Sequence, residues 1–245
     1  MKYMGSKSRI AKDIVPIIQS YIDNNSTDRY YEPFVGGANV IDKIRSEHRY
    51  ASDLNPYLIA LLIHAQNGGE LYSEVPKELY DKARSEWRSG NVQSFDDWQI
   101  GNIGFLASYN GRFFDGGYAR PVWEKTKNGN RYRDYYREAA DNLLEQSPKL
   151  KGIKFGVCDY SNAHPNGCVV YCDPPYEDTK KYDNSQQFDH KKFWDTVRLW
   201  SKNNIVIVSE LNAPSDFKVI WEQGVNRSIK VDDKRCAVER LFVLK

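Results

Sequence analysis

The chain has 245 residues, 40% of them hydrophobic and 28% charged, and its 35 Lys and Arg against 33 Asp and Glu leave a formal net charge of +2. This length buries a full core as one large domain or as a domain with an insertion, while so small a net charge excludes a globally basic surface and confines any nucleic-acid contact to local patches. No run is apolar and long enough to span a membrane, and the first residues lack the apolar core of a signal peptide, which predicts a soluble cytoplasmic protein.

Ile10, Ile14, Ile17, Ile18 and Tyr21 recur at helical spacing and predict a first helix, with Ser6 as its cap. Tyr30–Val35 reads as a strand entering Gly36-Gly37, and Val40, Ile41 and Ile44 suit a helix behind that turn. Arg49–Asp53 is a short second strand. Asn55-Pro56 is a cap followed by proline at the first helical position, and Leu58–Ala65 continues as an apolar helix. Residues 67–150 are polar, aromatic-rich and poor in strand-like runs, with helical pieces near Pro76–Trp87, Asp96–Leu106 and Tyr132–Leu144. The β-α alternation then resumes. Ile153–Val157 and Cys168–Cys172 are strands, Asp189 caps a helix over Lys191–Trp200, and Asn204–Ser209 and Arg240–Leu244 are further strands. The pattern predicts an α/β fold with a mostly parallel sheet. Residues 1–65 and 152–245 form one discontinuous domain, interrupted by a mainly helical insert over 66–151.

Cys158, Cys168, Cys172 and Cys236 include no C-x-x-C pair and read as reduced core thiols. The four histidines are scattered, so no metal site is expected.

Ligands of parallel sheets bind outside the carboxyl ends of the strands, and three candidate sites fall there. Glu32-Pro33-Phe34-Val35-Gly36-Gly37 is the first strand-to-helix turn, where glycine lets the backbone approach a ligand. It is not G-x-G-x-x-G, which disfavours a dinucleotide. Asp53, at the end of the second strand, can accept both hydroxyls of a ribose; the plainer alternative is an acid paired with the dipole of the following helix. Asp173-Pro174-Pro175-Tyr176 follows a buried-looking strand. It offers a carboxylate and a rigid carbonyl to accept two N–H bonds, and an aromatic ring to stack on a planar amine. Its plain alternative is a proline-rich turn with a local cap.

Between Tyr109 and Arg137 seven basic residues (112, 120, 125, 127, 131, 133, 137) stand against three acids (115, 124, 134). Phe113, Phe114, Tyr118, Trp123, Tyr132, Tyr135 and Tyr136 are interleaved with them. Such loops suit phosphate contacts, base-edge reading and wedging into a duplex, as well as a solvated face over a small aromatic core. Lys2, Lys7, Arg9 and Lys12 near the start of the chain also allow phosphate contacts.

Taken together these residues resemble the Dam-type DNA adenine methyltransferases, especially their phage-encoded branch, over nearly the whole chain. Tyr3–Lys7 is similar to the family's W/Y-x-G-x-K opening, Glu32–Gly37 to its E-P-F-x-G-x-G turn, Ala51–Asn55 to its A-D-x-N segment, and Asp173–Tyr176 to its DPPY motif. The first turn differs, reading Gly36-Gly37-Ala38 where the family has glycine-x-glycine. The resemblance implies a Rossmann-like sheet with a C-terminal antiparallel hairpin and a target-recognition insert. It implies S-adenosylmethionine as methyl donor, S-adenosylhomocysteine as product and no metal. Tyr3, Lys7, Phe34, Gly36, Gly37, Asp53, Asp159, Tyr160 and Asp173 would line the cofactor. Asp173, Pro174, Pro175 and Tyr176 would hold the reacting base. Lys2, Arg9, Tyr109, Asn110, Arg112, Tyr118 and Arg120 would meet double-stranded DNA. The protein is expected to be a monomer in solution, with a dimer on DNA as the alternative, in the cytoplasm of a bacterial or phage-infected cell. Competing readings are methylation of cytosine or of RNA, and a catalytically silent DNA-binding module.

Overall fold

The computed structural model describes residues 1–25, 27–126, 129–176, 188–226 and 236–245. Lys127 and the side chain of Cys236 lie outside the described residues. The chain begins with α1 (Ala11–Asn24), β1 (Arg29–Glu32), β2 (His48–Asp53) and α2 (Pro56–Gln66). Next come α3 (Lys77–Ser89), α4 (Asp97–Gly101), β3 (Val122–Thr126), β4 (Gly129–Arg133), α5 (Tyr135–Leu150) and β5 (Ile153–Val157). It ends with β6 (Val169–Cys172), α6 (His190–Trp200), β7 (Ile205–Glu210), β8 (Phe217–Asn226) and β9 (Cys236–Leu244). Two compact units share these elements: Met1–Ala11, Gly36–Lys43 and Asp53–Val157 make the first, and Lys12–Val35, Ile44–Ser52 and Cys158–Lys245 the second.

In the second unit the strands run in the order β2-β1-β6-β7-β9-β8. The first four are mutually parallel, and β9 is antiparallel to both β7 and β8. The α/β class and the antiparallel C-terminal pair therefore match the sequence reading. All four residues of β6 are buried, as an apolar strand covered on both faces requires. On α6, Phe193, Trp194, Val197 and Trp200 form one apolar stripe and are buried. They join Val170, Cys172, Val206, Val208, Phe217 and Phe242 in a single core cluster. Each such large side chain contributes roughly 1.5–3 kcal/mol of transfer free energy. Asp189 starts α6 by accepting the amide of Lys192 at 2.9 Å, and so satisfies a donor that the first helical turn cannot.

The first unit is mostly helical. Asn55 accepts the amides of Tyr57 and Leu58 at 3.0 and 3.1 Å and caps α2. Leu58, Ile59, Leu61, Leu62 and Ala65 of that helix are buried. α4 crosses α2 at Gly101, where a β-carbon would stand 2.2 Å from the carbonyl oxygen of Tyr57. Asp134 accepts the amide of Arg137 at 3.0 Å and starts α5.

Four details differ from the sequence reading. Ser6 does not cap α1; its Oγ accepts the amide of Ser8 at 3.1 Å and caps a 3₁₀ turn over Lys7–Arg9. Val40, Ile41 and Ile44 are buried, but only a 3₁₀ turn at Ile41–Lys43 forms. Their apolar character reflects a short segment buried all round rather than one helical stripe. The helix expected over Asp96–Leu106 is α-helical only to Gly101 and continues as a π turn over Asn102–Leu106. The first unit also contains a two-stranded hairpin, β3 paired antiparallel with β4, where no strand was expected. Its residues are exposed or half-exposed, so the apolar alternation that marks a half-buried strand is missing.

Candidate active site and nucleic-acid interface

The order β2-β1-β6-β7 makes the gap between β1 and β6 a topological switch point: the chain works outward from β1 in one direction and from β6 in the other. A crevice outside the carboxyl ends of two such strands is the usual ligand site of an open parallel sheet. Glu32 ends β1 and Cys172 ends β6, so Pro33-Phe34 and Asp173-Pro174 leave the sheet there. Asp173 is half-buried, Pro174 buried, Pro175 exposed and Tyr176 buried.

Tyr176 is the most constrained of these. Its hydroxyl donates to Oε2 of Glu239 on β9 at 2.5 Å and lies 3.1 Å from Oγ of Ser209 on β7. Burial, followed by the charges of Asp173 and Glu239, pushes its pKa far above the usual phenol value. The hydroxyl therefore stays protonated and cannot act as a base. Beneath the tip, Tyr30 donates to Oε1 of the buried Glu32 at 2.6 Å.

Beside the switch point lies a group of rings. Phe34 is 5.2 Å from Tyr160, 6.0 Å from Phe188 and 5.8 Å from Phe193 between ring centroids. Tyr160 sits in a 3₁₀ turn capped by Asp159, whose Oδ1 accepts the amide of Ser161 at 2.8 Å. Burial and the nearby Asp159 and Asp189 push the Tyr160 hydroxyl up to about 12.

In the first unit the glycine turn and Asp53 form a second group. Oδ2 of Asp53 accepts the amide of Gly36 at 3.1 Å, and Oδ1 accepts that of Asn55 at 3.0 Å. Burial raises the pKa of this carboxyl, partly opposed by the amides of Asn55, Gly36 and Leu54. Gly36 has φ +47°, and a β-carbon there would stand 2.8 Å from Cε1 of Tyr3. At Gly37 it would meet Cβ of Tyr3 at the same distance. The small residues thus admit the Tyr3 segment on one side of the turn. Ala38, where the resembling family has glycine, also has a positive φ, of 55°. Lys7 is buried in the 3₁₀ turn that follows. Gln146 of α5 reaches the carbonyls of Gly37 and Ala38 at 3.1 and 2.9 Å and Oδ2 of the buried Asp42 at 3.0 Å.

The loop over residues 109–114 packs against the same N-terminal segment. Asn110, Phe113 and Phe114 have φ of 57°, 27° and 60°, a strained run for residues with side chains. A β-carbon on Gly111 would stand 2.6 Å from the carbonyl oxygen of Lys2. Tyr109, Asn110, Arg9 and Arg120 are exposed. Lys2 pairs with Glu138 at 3.3 Å and Arg112 with Asp115 at 2.9 Å. Tyr118 is turned inward, donating to the carbonyl of Val75 at 2.8 Å and packing on Tyr80.

Sequence reasoning missed Glu239, Ser209, Phe188, Phe193 and Gln146. None lies in a motif, and only strand register and helix packing bring them to these groups. It also gave Trp123 no specific place and put Tyr132 at the start of a helix, whereas Tyr132 lies in β4 and the helix begins at Tyr135. Trp123 and Tyr132 face each other on the hairpin with centroids 5.3 Å apart, 72% and 53% exposed. Cys168 and Cys172 are buried thiols as expected, while Cys158 is half-exposed. His48 lies with Asp28 and Glu47, all exposed and within 4.8 Å of one another, and pairs with Asp28 at 3.6 Å. No helix among the described residues is long and apolar enough to cross a membrane.

The Asp173-Pro174-Pro175-Tyr176 tip thus stands at the switch point of the parallel sheet, where ligands of such folds bind. A family model for D12 class N6 adenine-specific DNA methyltransferases matches residues 3–199. The chain belongs to that family, and it is an enzyme that methylates adenine at N6 in DNA. No curated protein sequence matches it significantly. Among solved structures, the rRNA methyltransferase AviRa from Streptomyces viridochromogenes is similar over 99% of this chain and 86% of its own, at 12% identity and a TM-score of 0.42. A protein from Pyrococcus horikoshii described as an RNA methyltransferase is similar over 44% of this chain and 57% of its own, at 17% identity and a TM-score of 0.25.

Proposed function

We propose that the enzyme takes its methyl group from S-adenosylmethionine and delivers it to an adenine flipped out of duplex DNA. The observation that carries this reading is the emergence of Asp173-Pro174-Pro175-Tyr176 from the buried strand β6 at the switch point of the sheet. The amino nitrogen of adenine is a poor nucleophile, because its lone pair is delocalised into the ring, and inside the duplex it is out of reach. The Asp173 carboxylate and the Pro174 carbonyl each accept one of its N–H bonds. That turns the lone pair out of the ring plane and puts negative charge where positive charge develops. The Tyr176 ring stacks on the base, while its hydroxyl is committed to Glu239.

The residues present fit the donor. Asp53 is held by backbone amides, those of Gly36 and Asn55 among them, and its carboxylate retains acceptor capacity for a ribose hydroxyl. Phe34 and Tyr160 offer ring faces to an adenine, with Asp159 beside them. Gly36, Gly37, Tyr3 and Lys7 take the cofactor contacts of the first unit. Bound there, S-adenosylmethionine supplies an electrophilic methyl group. Residues 66–151 are the target-recognition segment, with Tyr109, Asn110 and Arg120 exposed for DNA and Arg9 exposed for phosphates, while Lys2 and Arg112 would exchange their partners Glu138 and Asp115 for phosphates on binding.

Incubation of unmethylated duplex DNA with labelled donor, then nucleoside analysis, tests this reading. N6-methyladenine is expected from the wild type and none from Asp173→Ala. Methylated cytosine, or an active Asp173→Ala protein that is folded, would overturn it.

A further inference from the structure

We propose that Glu239 is a positioning residue for methyl transfer, acting through the hydroxyl of Tyr176; this rests on the reading of the Asp173–Tyr176 tip given above. Glu239 lies on β9, far from any motif, and is 8% exposed. Ser209 of β7 pairs with Leu241 of β9. Alternate residues of a strand share a face, so Glu239 and Leu241 share theirs, and Ser209 is the diagonal neighbour of Glu239 across the antiparallel pair. Both side chains converge on one atom, Oη of Tyr176, at 2.5 and 3.1 Å.

A buried carboxylate is costly unless a strong hydrogen bond offsets its desolvation. An apolar residue at this strand position would avoid that desolvation cost. What the carboxylate adds is direction. It accepts from a hydroxyl at the far end of the ring, and so fixes the ring about the torsions that a Phe in the same place would leave to packing alone. A stacking surface works only when the ring plane is set before the base arrives. The short, charge-assisted bond from β9 sets it.

The test uses the full chain and unmethylated DNA, with kcat, KM for DNA and for S-adenosylmethionine, and melting temperature measured for each variant. Tyr176→Phe removes one oxygen and keeps the ring. It should lower kcat about tenfold, with KM for the donor unchanged. Glu239→Ala should do the same, and the double variant should be no slower than either single one. Glu239→Gln keeps an acceptor and should retain at least about half the wild-type kcat. If Glu239→Ala fails to fold, the pair Tyr176→Phe and Glu239→Gln still decides. A wild-type kcat in Tyr176→Phe, a further loss on adding Glu239→Ala to it, or a Glu239→Gln protein as slow as Tyr176→Phe would each overturn the inference. Asp173→Ala is run alongside. Its inactivity together with a wild-type Tyr176→Phe rate defeats this inference alone, whereas its full activity defeats the reading beneath it.

Discussion

The amide of Gly36 donates to Oδ2 of Asp53 at 3.1 Å, so the first glycine turn is held by the same carboxylate that is proposed to take the ribose. Asp53→Ala should therefore do two things: weaken cofactor binding by more than about tenfold and loosen the turn. Isothermal calorimetry reads the first, and amide exchange at Gly36 the second. Unchanged binding would remove Asp53 from the cofactor site.

The same carboxyl gives a pH dependence. Its folded pKa is raised by burial. The stability this group contributes is thus fully present below its unfolded pKa and is lost as pH rises through the folded value. Asp53→Asn abolishes that titration. Urea melts of the two proteins between about pH 4 and 8 should show the variant gaining on the wild type as pH rises. Parallel curves would contradict the assigned direction.

Ala38 is fully buried with φ 55°. A left-handed conformation costs an alanine about 1–2 kcal/mol. Replacing it with glycine removes that strain but loses a buried methyl, about 0.8 kcal/mol, and frees the unfolded chain by about 0.5–1 kcal/mol. The terms nearly cancel, so Ala38→Gly should be within about 1 kcal/mol of the wild type. Ala65→Gly, buried at the end region of α2, gains no such relief and should cost about 2 kcal/mol. Equal losses in denaturation would show that Ala38 is not strained.

Gln146 bonds two carbonyls of the glycine turn and the buried Asp42. Gln146→Ala removes a two-proton donor from these buried acceptors, while Asp42 keeps its ion pair with Lys43, at a cost of about 1–3 kcal/mol. The melting temperature should fall and donor affinity with it, since the turn loses its support from α5. A drop in stability with donor affinity intact would separate the turn from the cofactor.

Trp123 and Tyr132 present exposed rings on an otherwise basic hairpin. Stacking of an aromatic ring on a nucleobase is worth about 1–3 kcal/mol. Trp123→Ala should raise KM for DNA by about 10- to 100-fold and leave the melting temperature unchanged. An unaltered KM would take the hairpin out of the interface.

The sequence made the sheet and its tip legible for a physical reason. β6 is buried on every residue, so its apolar run is unmistakable, and the carboxylate and two prolines at its end mark where the strand stops. Asn55-Pro56 and Asp189 announced α2 and α6 because caps act locally. The hairpin β3-β4 was invisible, because it buries neither face and leaves no alternation to read. Glu239 was invisible for the opposite reason. It looks like an ordinary charged residue in Val238-Glu239-Arg240, and only the register of β9 against β7 turns it inward. Sequence patterns report how a residue meets solvent; they do not report which distant residue it meets.

Tyr3 touches both glycine turns of the first unit. Its side chain fills the space beside Gly36 and Gly37, and its Cα lies 3.1 Å from where a β-carbon on Gly111 would be. With so little slack, a shift of one turn by a few tenths of an ångström must be taken up by the other. The turn proposed for the donor and the loop proposed for the DNA therefore share one wedge.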